Sequence, residues 1–444
     1  MQNIQLSDHF TYRKLLLFSL PSVGMMIFTS IYGVIDGFFV SNFTSGTDFA
    51  ALNYIYPALM ILGTVGFMFG SGGSALVAKL LGEGERERAE RAFTLLVLFS
   101  AALGVLLGVL GFLLMRPIAL LLGAEGEMLE RCVVYGRIVV SALPFFILQM
   151  EFQSFFVAAE KPKLGFFSTL VAGCTNIVLD ALFVAVFSWG LEGAALATAL
   201  SQAVGALFPL IYFSRKNTSL LRFTRTGWDG GVLWRTTVNG SSEFMSNVSM
   251  SLVSMIYNAQ LYAYAGENGV SAYGVLMYVS MIFMGAFIGY MIGTAPIVGY
   301  HFGAGNTGEL RSILKKSLVL IGITSLSMTL LSEALAYPLS ALFVGRDPEL
   351  LSLTVRAFRI FSLSYLFVGY AIYASGFFTA LNDGVTSAVI SFLRTLVFQI
   401  LAVLLLPLWL GIDGIWLSLV FAELMAVAIG ALCLFLKRKK YNYF

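Results

Sequence analysis

Long apolar runs broken by short polar stretches organise this sequence from end to end. One helix crossing a bilayer needs roughly 20 mostly apolar residues. Twelve runs of that kind are present, at about 15–40, 51–80, 92–115, 133–157, 164–187, 193–214, 236–260, 269–301, 313–334, 354–378, 386–408 and 414–436. Several are longer than a perpendicular span requires, which predicts tilt or kinks. Pro21, Pro144, Pro209, Pro296 and Pro407 lie within or near the ends of these runs and mark where kinks are expected. The longest polar stretch in mid-chain is SRKNTSLLRFTRTGWDG, residues 214–230. It divides the chain into a first half, 1–214, a linker, 215–235, and a second half, 236–444, with six runs in each half.

The two halves repeat one another. GLEG at 190–193 returns as GIDG at 411–414, and Gly82 and Gly84 return as Gly303 and Gly305, in both cases 221 residues further on (303 − 82 = 221). Six spans per half put both halves into the membrane from the same side, so the repeat is parallel and its axis lies along the membrane normal. The predicted fold is an all-α polytopic membrane protein of twelve transmembrane helices, in two six-helix bundles related by a pseudo-two-fold axis. Gly66/Gly70, Gly104/Gly108 and the row Gly285, Gly289, Gly293 are spaced for close helix packing in lipid. Polytopic proteins built of two like halves are mostly transporters with the site between the halves.

Composition agrees with a membrane setting. Hydrophobic residues make up 58% and charged residues 11%, with a mean hydropathy of +0.87, where a soluble domain carries about 25% charged residues. Of the 27 basic residues, 20 fall on the side of the chain termini, six (Arg116, Arg131, Arg137, Arg346, Arg356, Arg359) on the far side, and Arg394 inside a span. The positive-inside rule then makes both termini cytoplasmic in a multi-pass protein of the plasma (inner) membrane. Trp189 and Trp409 near the far ends of spans, and Trp228 and Trp234 near the terminal side, suit an aromatic belt. The net charge of +3 is thus a topology signal, with the bilayer as partner and no nucleic acid. The first apolar run is too long for a signal-peptide core. Cys132, Cys174 and Cys433 are scattered, and His9 and His301 read as isolated boundary residues, so neither a disulfide framework nor a metal site is expected. Gly303, Gly305 and Gly308 match G-x-G-x-x-G but follow an apolar span rather than a strand. With no Walker A, H-E-x-x-H or G-x-S-x-G motif either, the chain reads as neither an enzyme nor an ATP-driven pump, and no cofactor is implied.

The candidate chemistry lies in charges placed where they are costly. A carboxylate at the bilayer centre costs about 2.5–3.5 kcal/mol on insertion scales, yet Asp36, Glu151, Asp180, Glu243 and Glu423 all fall well inside spans. Asn176 and Asp180 are one helical turn apart on one face. Asp180 precedes the hairpin at Trp189 by as many residues as Thr198 follows it, so both reach one depth, about 13 Å from the far end at 1.5 Å per residue. Asp36, eight residues before Thr44, reaches a similar level. Two carboxylates, an amide and a hydroxyl at one depth are oxygen ligands for a hard monovalent cation. They suit a proton equally, because two nearby carboxylates resist ionising together. Glu243, eight residues into its span from Arg235, belongs to the second half, where a lone acid facing a cavity could attract cationic substrates or act as a second protonation site. Glu423 has a possible partner in Arg394. Met281 and Met284 belong to a methionine stripe that suits either a promiscuous binding surface or core filler.

Three motifs carry a family resemblance along nearly the whole chain. The first span reads PSVGMMIFTSIYGVIDGFFVSNF, with Pro21 fifteen residues before Asp36. The fifth and sixth read NIVLDALFV and GLEGAALATALSQ, and the eighth ends in GYHFGAGN. Together these resemble the multidrug and toxic compound extrusion (MATE) family of cation-coupled antiporters, most nearly its prokaryotic DNA-damage-inducible branch. The resemblance implies a V-shaped pair of six-helix bundles that export lipophilic, often cationic, small molecules by alternating access against inward H+ or Na+. It implies Asp36, Asn176, Asp180 and Thr198 as coupling-ion ligands, Pro21 as a helix hinge, and no metal beyond a possible Na+ at the coupling site. Branches of the family with an acid in span ten have no counterpart here, since YLFVGYAIYASGFFTALND stays uncharged until Asp383. The alternative is a lipid-linked oligosaccharide flippase with related bundles, which would favour a basic cavity over five intramembrane acids and one arginine. A membrane-enzyme or receptor scaffold would need no repeat. With both halves in one chain, a monomer suffices.

Overall fold

The computed structural model describes residues 4–443. In chain order the helices are α1 Tyr12–Phe43, α2 Gly46–Gly82, α3 Arg86–Leu121, α4 Gly126–Ser141 continued as Leu143–Ala158, α5 Pro162–Val186 and α6 Gly190–Ser214. A helical hairpin, Gly230–Gly303, follows and supplies α7 (230–265) and α8 (267–303). Then come α9 Thr307–Val344, α10 Pro348–Ser362 continued as Tyr365–Ala380, α11 Gly384–Leu410 and α12 Ile412–Tyr441. The hairpin folds back at Gly266, whose φ of 58° and ψ of −145° suit glycine alone. Tyr257 and Tyr273, on opposite sides of that fold, stack with ring centroids 5.4 Å apart. Counting its two arms separately, and each bent helix as one span, gives twelve spans among the described residues.

The bends follow local chemistry. α4 turns by 55° at Ala142, and Pro144 starts its second segment. α10 turns by 47° at Leu363 and Ser364 with no proline nearby, a bend the sequence does not announce. Pro21, Pro209 and Pro296 lie inside unbroken helices. Side-chain caps start several helices: Ser45 and Asp48 form a capping box on α2, while Asp229, Asn306, Asp347 and Asp383 cap α7, α9, α10 and α11.

The six helices of each half form one bundle, and the bundles meet through glycine. A Cβ on Gly82 would lie 2.0 Å from the Tyr300 carbonyl oxygen, and one on Gly303 would lie 2.0 Å from that of Lys79. Residues 79 and 300 differ by the same 221 as residues 82 and 303, so the two contacts are images of each other about the pseudo-two-fold axis. The α2–α7 seam (Gly240 against Met68) and the α1–α8 seam (Gly289 and Gly293 against Ser19 to Val23) are related in the same way. These close approaches all lie in the halves of the helices nearest the chain termini. Toward the far face the bundles part, and Gly33, Gly37 and Gly274 have nothing within 4 Å of a would-be Cβ. The close contacts between the bundles thus lie toward the terminal face, which leaves the far face as the side for the V-shaped space that the resemblance implies.

The terminal face is closed by an N-terminal strap. Leu6 N–H donates to Glu160 of the first bundle at 2.6 Å. Phe10 N–H donates to Glu309 of the second at 2.9 Å, His9 Nδ1 lies 2.7 Å from the other Glu309 oxygen, and Lys316 holds the Phe10 carbonyl. Leu6 and Phe10 are fully buried. His9 is therefore no isolated boundary residue, and His301, read in the same way from sequence, is buried near the Phe10 ring. The irregular stretch between α6 and α7 docks on the first bundle: Phe223 stacks on Phe93 at 5.1 Å, and Arg222 pairs with Glu90.

Candidate functional site

Four of the sequence-derived residues converge in the first bundle. Asp36 projects from α1 and is half-buried beside the V-shaped space. Asn176 and Asp180, 2% and 0% exposed, come from α5, and Thr198 comes from α6. Thr198 Oγ1 donates to Asp36 Oδ1 at 3.5 Å, and Asp180 and Asn176 also reach the Asp36 carboxyl. By strict geometry only the threonine bond closes. Both Asp180 oxygens and the Asn176 Oδ1 are buried without a hydrogen-bond donor.

Local backbone chemistry positions the pair. The α-helical part of α5 ends at Asp180, and Ala181–Val186 continues as a π-helix. Such wide turns are common at functional sites because they re-aim side chains. Gly173, one turn before Asn176, lets α5 approach α1, where Phe28 and Tyr32 would lie 2.5 and 2.7 Å from a Cβ. Tyr32, one turn before Asp36, reaches Gln149 of α4 and Thr29 of its own helix. Gln149, which Tyr32 reaches, and Gln202, one turn beyond Thr198 on α6, are further amides beside this group that the sequence reading missed. They carry no charge, and charge was the signal that singled out the buried acids.

Among the described residues, neither Asp36 nor Asp180 has a basic partner within 4 Å. Two carboxylates facing each other in low dielectric repel strongly. Unpaired donors or a positive charge would relieve both the repulsion and the orphaned oxygens. All four ligands are hard oxygen donors, which suits a proton or an alkali cation better than a soft metal.

The other candidates separate. Glu423 of α12 pairs with Arg394 of α11, whose Nε lies 2.8 and 3.0 Å from its two oxygens. Glu243 is half-buried on α7, within electrostatic reach of Arg394 but outside ion-pair distance. Glu151 is fully buried with both oxygens unpartnered, and it faces Ser100 of α3, away from Asp36. The methionine stripe splits: Met281 is 46% exposed where its carbonyl accepts from Ser30 of α1, and Met284 packs into the second bundle's core. Two surface concavities, about 410 Å³ each, are lined by Leu314, Tyr370 and Ala431 in one case and by Leu170, Cys174 and Leu179 in the other. Both are apolar and contain none of the acids.

Comparison with known proteins matches this arrangement. A family model described as MatE matches residues 21–182 and again residues 243–405, once in each half. The multidrug export protein MepA of Staphylococcus haemolyticus (strain JCSC1435) is 26% identical over 419 residues, covering 93% of this chain and 90% of its own. MepA of Staphylococcus aureus (strain MRSA252) is 23% identical over 436 residues, covering 97% and 94%. Among solved structures, MATE in complex with MaL6 superposes with a TM-score of 0.94 at 21% identity over 100% of both chains. A multidrug resistance MATE family transporter of the MOP superfamily in its outward-facing conformation superposes with 0.91 at 21% identity, over 100% of this chain and 99% of that one.

Proposed function

The chain belongs to the MatE family, and on that premise we propose that it is a cation-coupled antiporter. It exports lipophilic, often cationic, small molecules by alternating access, and H+ or Na+ is the coupling ion. The observation that carries the reading is the Asp36–Asp180 pair, set beside the open space with no counter-charge of its own. The relatives named for multidrug export support the substrate class.

The mechanism follows from the charge balance. A cation from the far side enters the V, joins Asp36, Asn176, Asp180 and Thr198, and satisfies the orphaned oxygens. Occupancy draws α1 toward α5 and α6, with Pro21 as the hinge, since that ring lacks the N–H which would stiffen the helix. The same movement lowers the affinity of the space for a cationic substrate, which leaves on the far side. Glu243 and Met281 on the second bundle, with Met284 behind, supply a negative charge and adaptable apolar surface for the cargo. The chain works as a monomer, multi-pass in the cell membrane, with the strap-bearing face and both termini cytoplasmic.

Uptake of a fluorescent lipophilic cation into everted vesicles tests the scheme under a proton gradient and a sodium gradient applied separately. Transport driven by one gradient and abolished by both Asp36→Asn and Asp180→Asn is expected. A correctly inserted protein that moves the dye under neither gradient would overturn it.

A further inference from the structure

The second bundle contains a charge cluster that the coupling scheme does not use. Arg394 and Glu423 are 8% and 1% exposed, in the middle of α11 and α12. Arg394 engages both Glu423 oxygens through Nε alone. Among the described residues, nothing accepts from its two Nη groups, and they are not among the sealed polar atoms, so they remain accessible. Arg394 also sits within a π-helical turn, Leu393–Val397, just as the first bundle places a π-helix directly after Asp180. Glu243 is the other carboxylate that feels this charge, and it stands one turn beyond Asn239, where α7 packs against Gly384 at the start of α11. It forms no ion pair of its own among the described residues. Two acids therefore lie in the field of one internal cation, which pairs with the more deeply buried of them.

We propose that Arg394 is the internal counter-ion that sets the charge selectivity of the second bundle. Held on Glu423, it leaves the Glu243 carboxylate free to pair with the cationic group of a substrate. Released from Glu423, it turns its Nη groups to Glu243, neutralises that carboxylate and closes the position to cations. Glu423 is thus a positioning residue that acts on cargo through Arg394. This inference rests on the reading of Glu243 as a cargo-binding group, and the test separates the two.

Binding of tetraphenylphosphonium and of a neutral dye of similar size is measured on the purified full chain in nanodiscs, for wild type, Glu243→Gln, Glu423→Gln, Glu423→Asp and the double variant Glu423→Gln/Arg394→Gln. Loss of one close charge in a partly desolvated site is worth on the order of ten-fold in affinity. Glu243→Gln and Glu423→Gln are each expected to weaken phosphonium binding by that order while neutral-dye affinity holds. Glu423→Asp, which keeps the charge on a shorter arm, gives a smaller loss, and the double variant returns to near wild type. A purely structural role for the pair would lower both probes together and would not be rescued by removing the arginine. If Glu243→Gln weakens phosphonium binding but Glu423→Gln does not, the counter-ion proposal fails and the Glu243 reading stands. If Glu243→Gln changes nothing, both fail. Should Glu423→Gln not fold, Glu423→Asp and the double variant decide: no loss in the former, or no recovery in the latter, overturns the proposal.

Discussion

The two bundles share one scaffold and treat buried charge in opposite ways. At the 221-residue offset Asp36 is replaced by Tyr257 and Thr198 by Leu419, and the stretch of α11 that answers Asn176–Asp180, residues 397–403, carries no acid. Tyr257 is buried and stacks on Tyr273, so the second bundle has apolar packing where the first has oxygen ligands. In the reverse direction, Glu423 is replaced by Gln202, and α5 carries no basic residue beyond Lys163 at its start. In mid-span the first bundle leaves Asp36, Glu151 and Asp180 without a basic partner among the described residues, and the second holds a cation of its own in covalent form. Duplicated architecture therefore does not mean duplicated chemistry. On the proposed scheme, only the first bundle depends on an ion from outside.

The sharpest way to break that comparison is to remove charge from each half in turn. Asp180→Asn in the first bundle is expected to cut gradient-driven dye export by at least about ten-fold, since losing even a supporting group of an ion site costs 10–100-fold. Replacing the second bundle's pair by Arg394→Met/Glu423→Leu should leave the coupling ion and its gradient dependence unchanged, because well-packed apolar groups of similar volume substitute for a buried ion pair at little cost. Export from proteoliposomes under each gradient measures both, and loss of gradient dependence in the double variant would end the asymmetry argument. A smaller effect, on stability alone, comes from breaking the pair on one side. Glu423→Ala removes the carboxylate that Arg394 holds and leaves Glu243 as its only replacement, so the fall in melting temperature is expected to stay below the about 3–5 kcal/mol of a wholly uncompensated buried charge, and the Met/Leu double variant does not share it.

Where the halves are alike, they should respond alike. Gly82 and Gly303 make image contacts across the axis, so Gly82→Val and Gly303→Val should each cost about 1–3 kcal/mol through overpacking. Equal shifts in thermal stability are expected, and a large inequality would show that the axis is only approximate there.

Much of this was legible in the sequence, for reasons tied to particular residues. The twelve apolar runs are visible because each span must be apolar over its whole length, and Gly82/Gly303 reveal the repeat because only glycine permits the bundle contact they make. Asp36, Asp180 and Thr198 could be placed at one depth because helical rise is fixed and the hairpin at Trp189 is short. The strap could not be read. Leu6, His9 and Phe10 show no periodicity, and their acceptors Glu160 and Glu309 are hundreds of residues away in places where acids are ordinary. The α10 bend lacks the proline that marked α4. Gln149 and Gln202 did not stand out because they are uncharged, whereas charge singled out Asp36 and Asp180.

The smallest and most local contrast lies in the corner that each half places between its bent helix and the next. Glu160 and Asn382 occupy these corners with nearly the same left-handed backbone, φ 60° and 57°. The nearby acids are pushed in opposite directions. Burial raises the Glu160 pKa and outweighs the Leu6 N–H that opposes it. Burial works against Asp383 too, but the Tyr441 hydroxyl at 2.7 Å, Thr386 and Lys437 outweigh it and hold its pKa below the ordinary 3.8. The signs follow from linkage. Asp383 contributes stability above the unfolded carboxylate range and loses it as pH falls through its own lowered pKa. Ionised Glu160 is disfavoured in the fold, so acid relieves it as pH falls through its raised pKa. Asp383→Asn should therefore lower stability at neutral pH, with the gap to wild type closing in acid. Glu160→Gln should be neutral or stabilising at neutral pH, and its difference from wild type should vanish at a higher pH than that of Asp383→Asn. Melting temperatures of the purified chain from pH 3 to 8 give both curves. Gaps that close at the same pH would mean that the two corners do not differ.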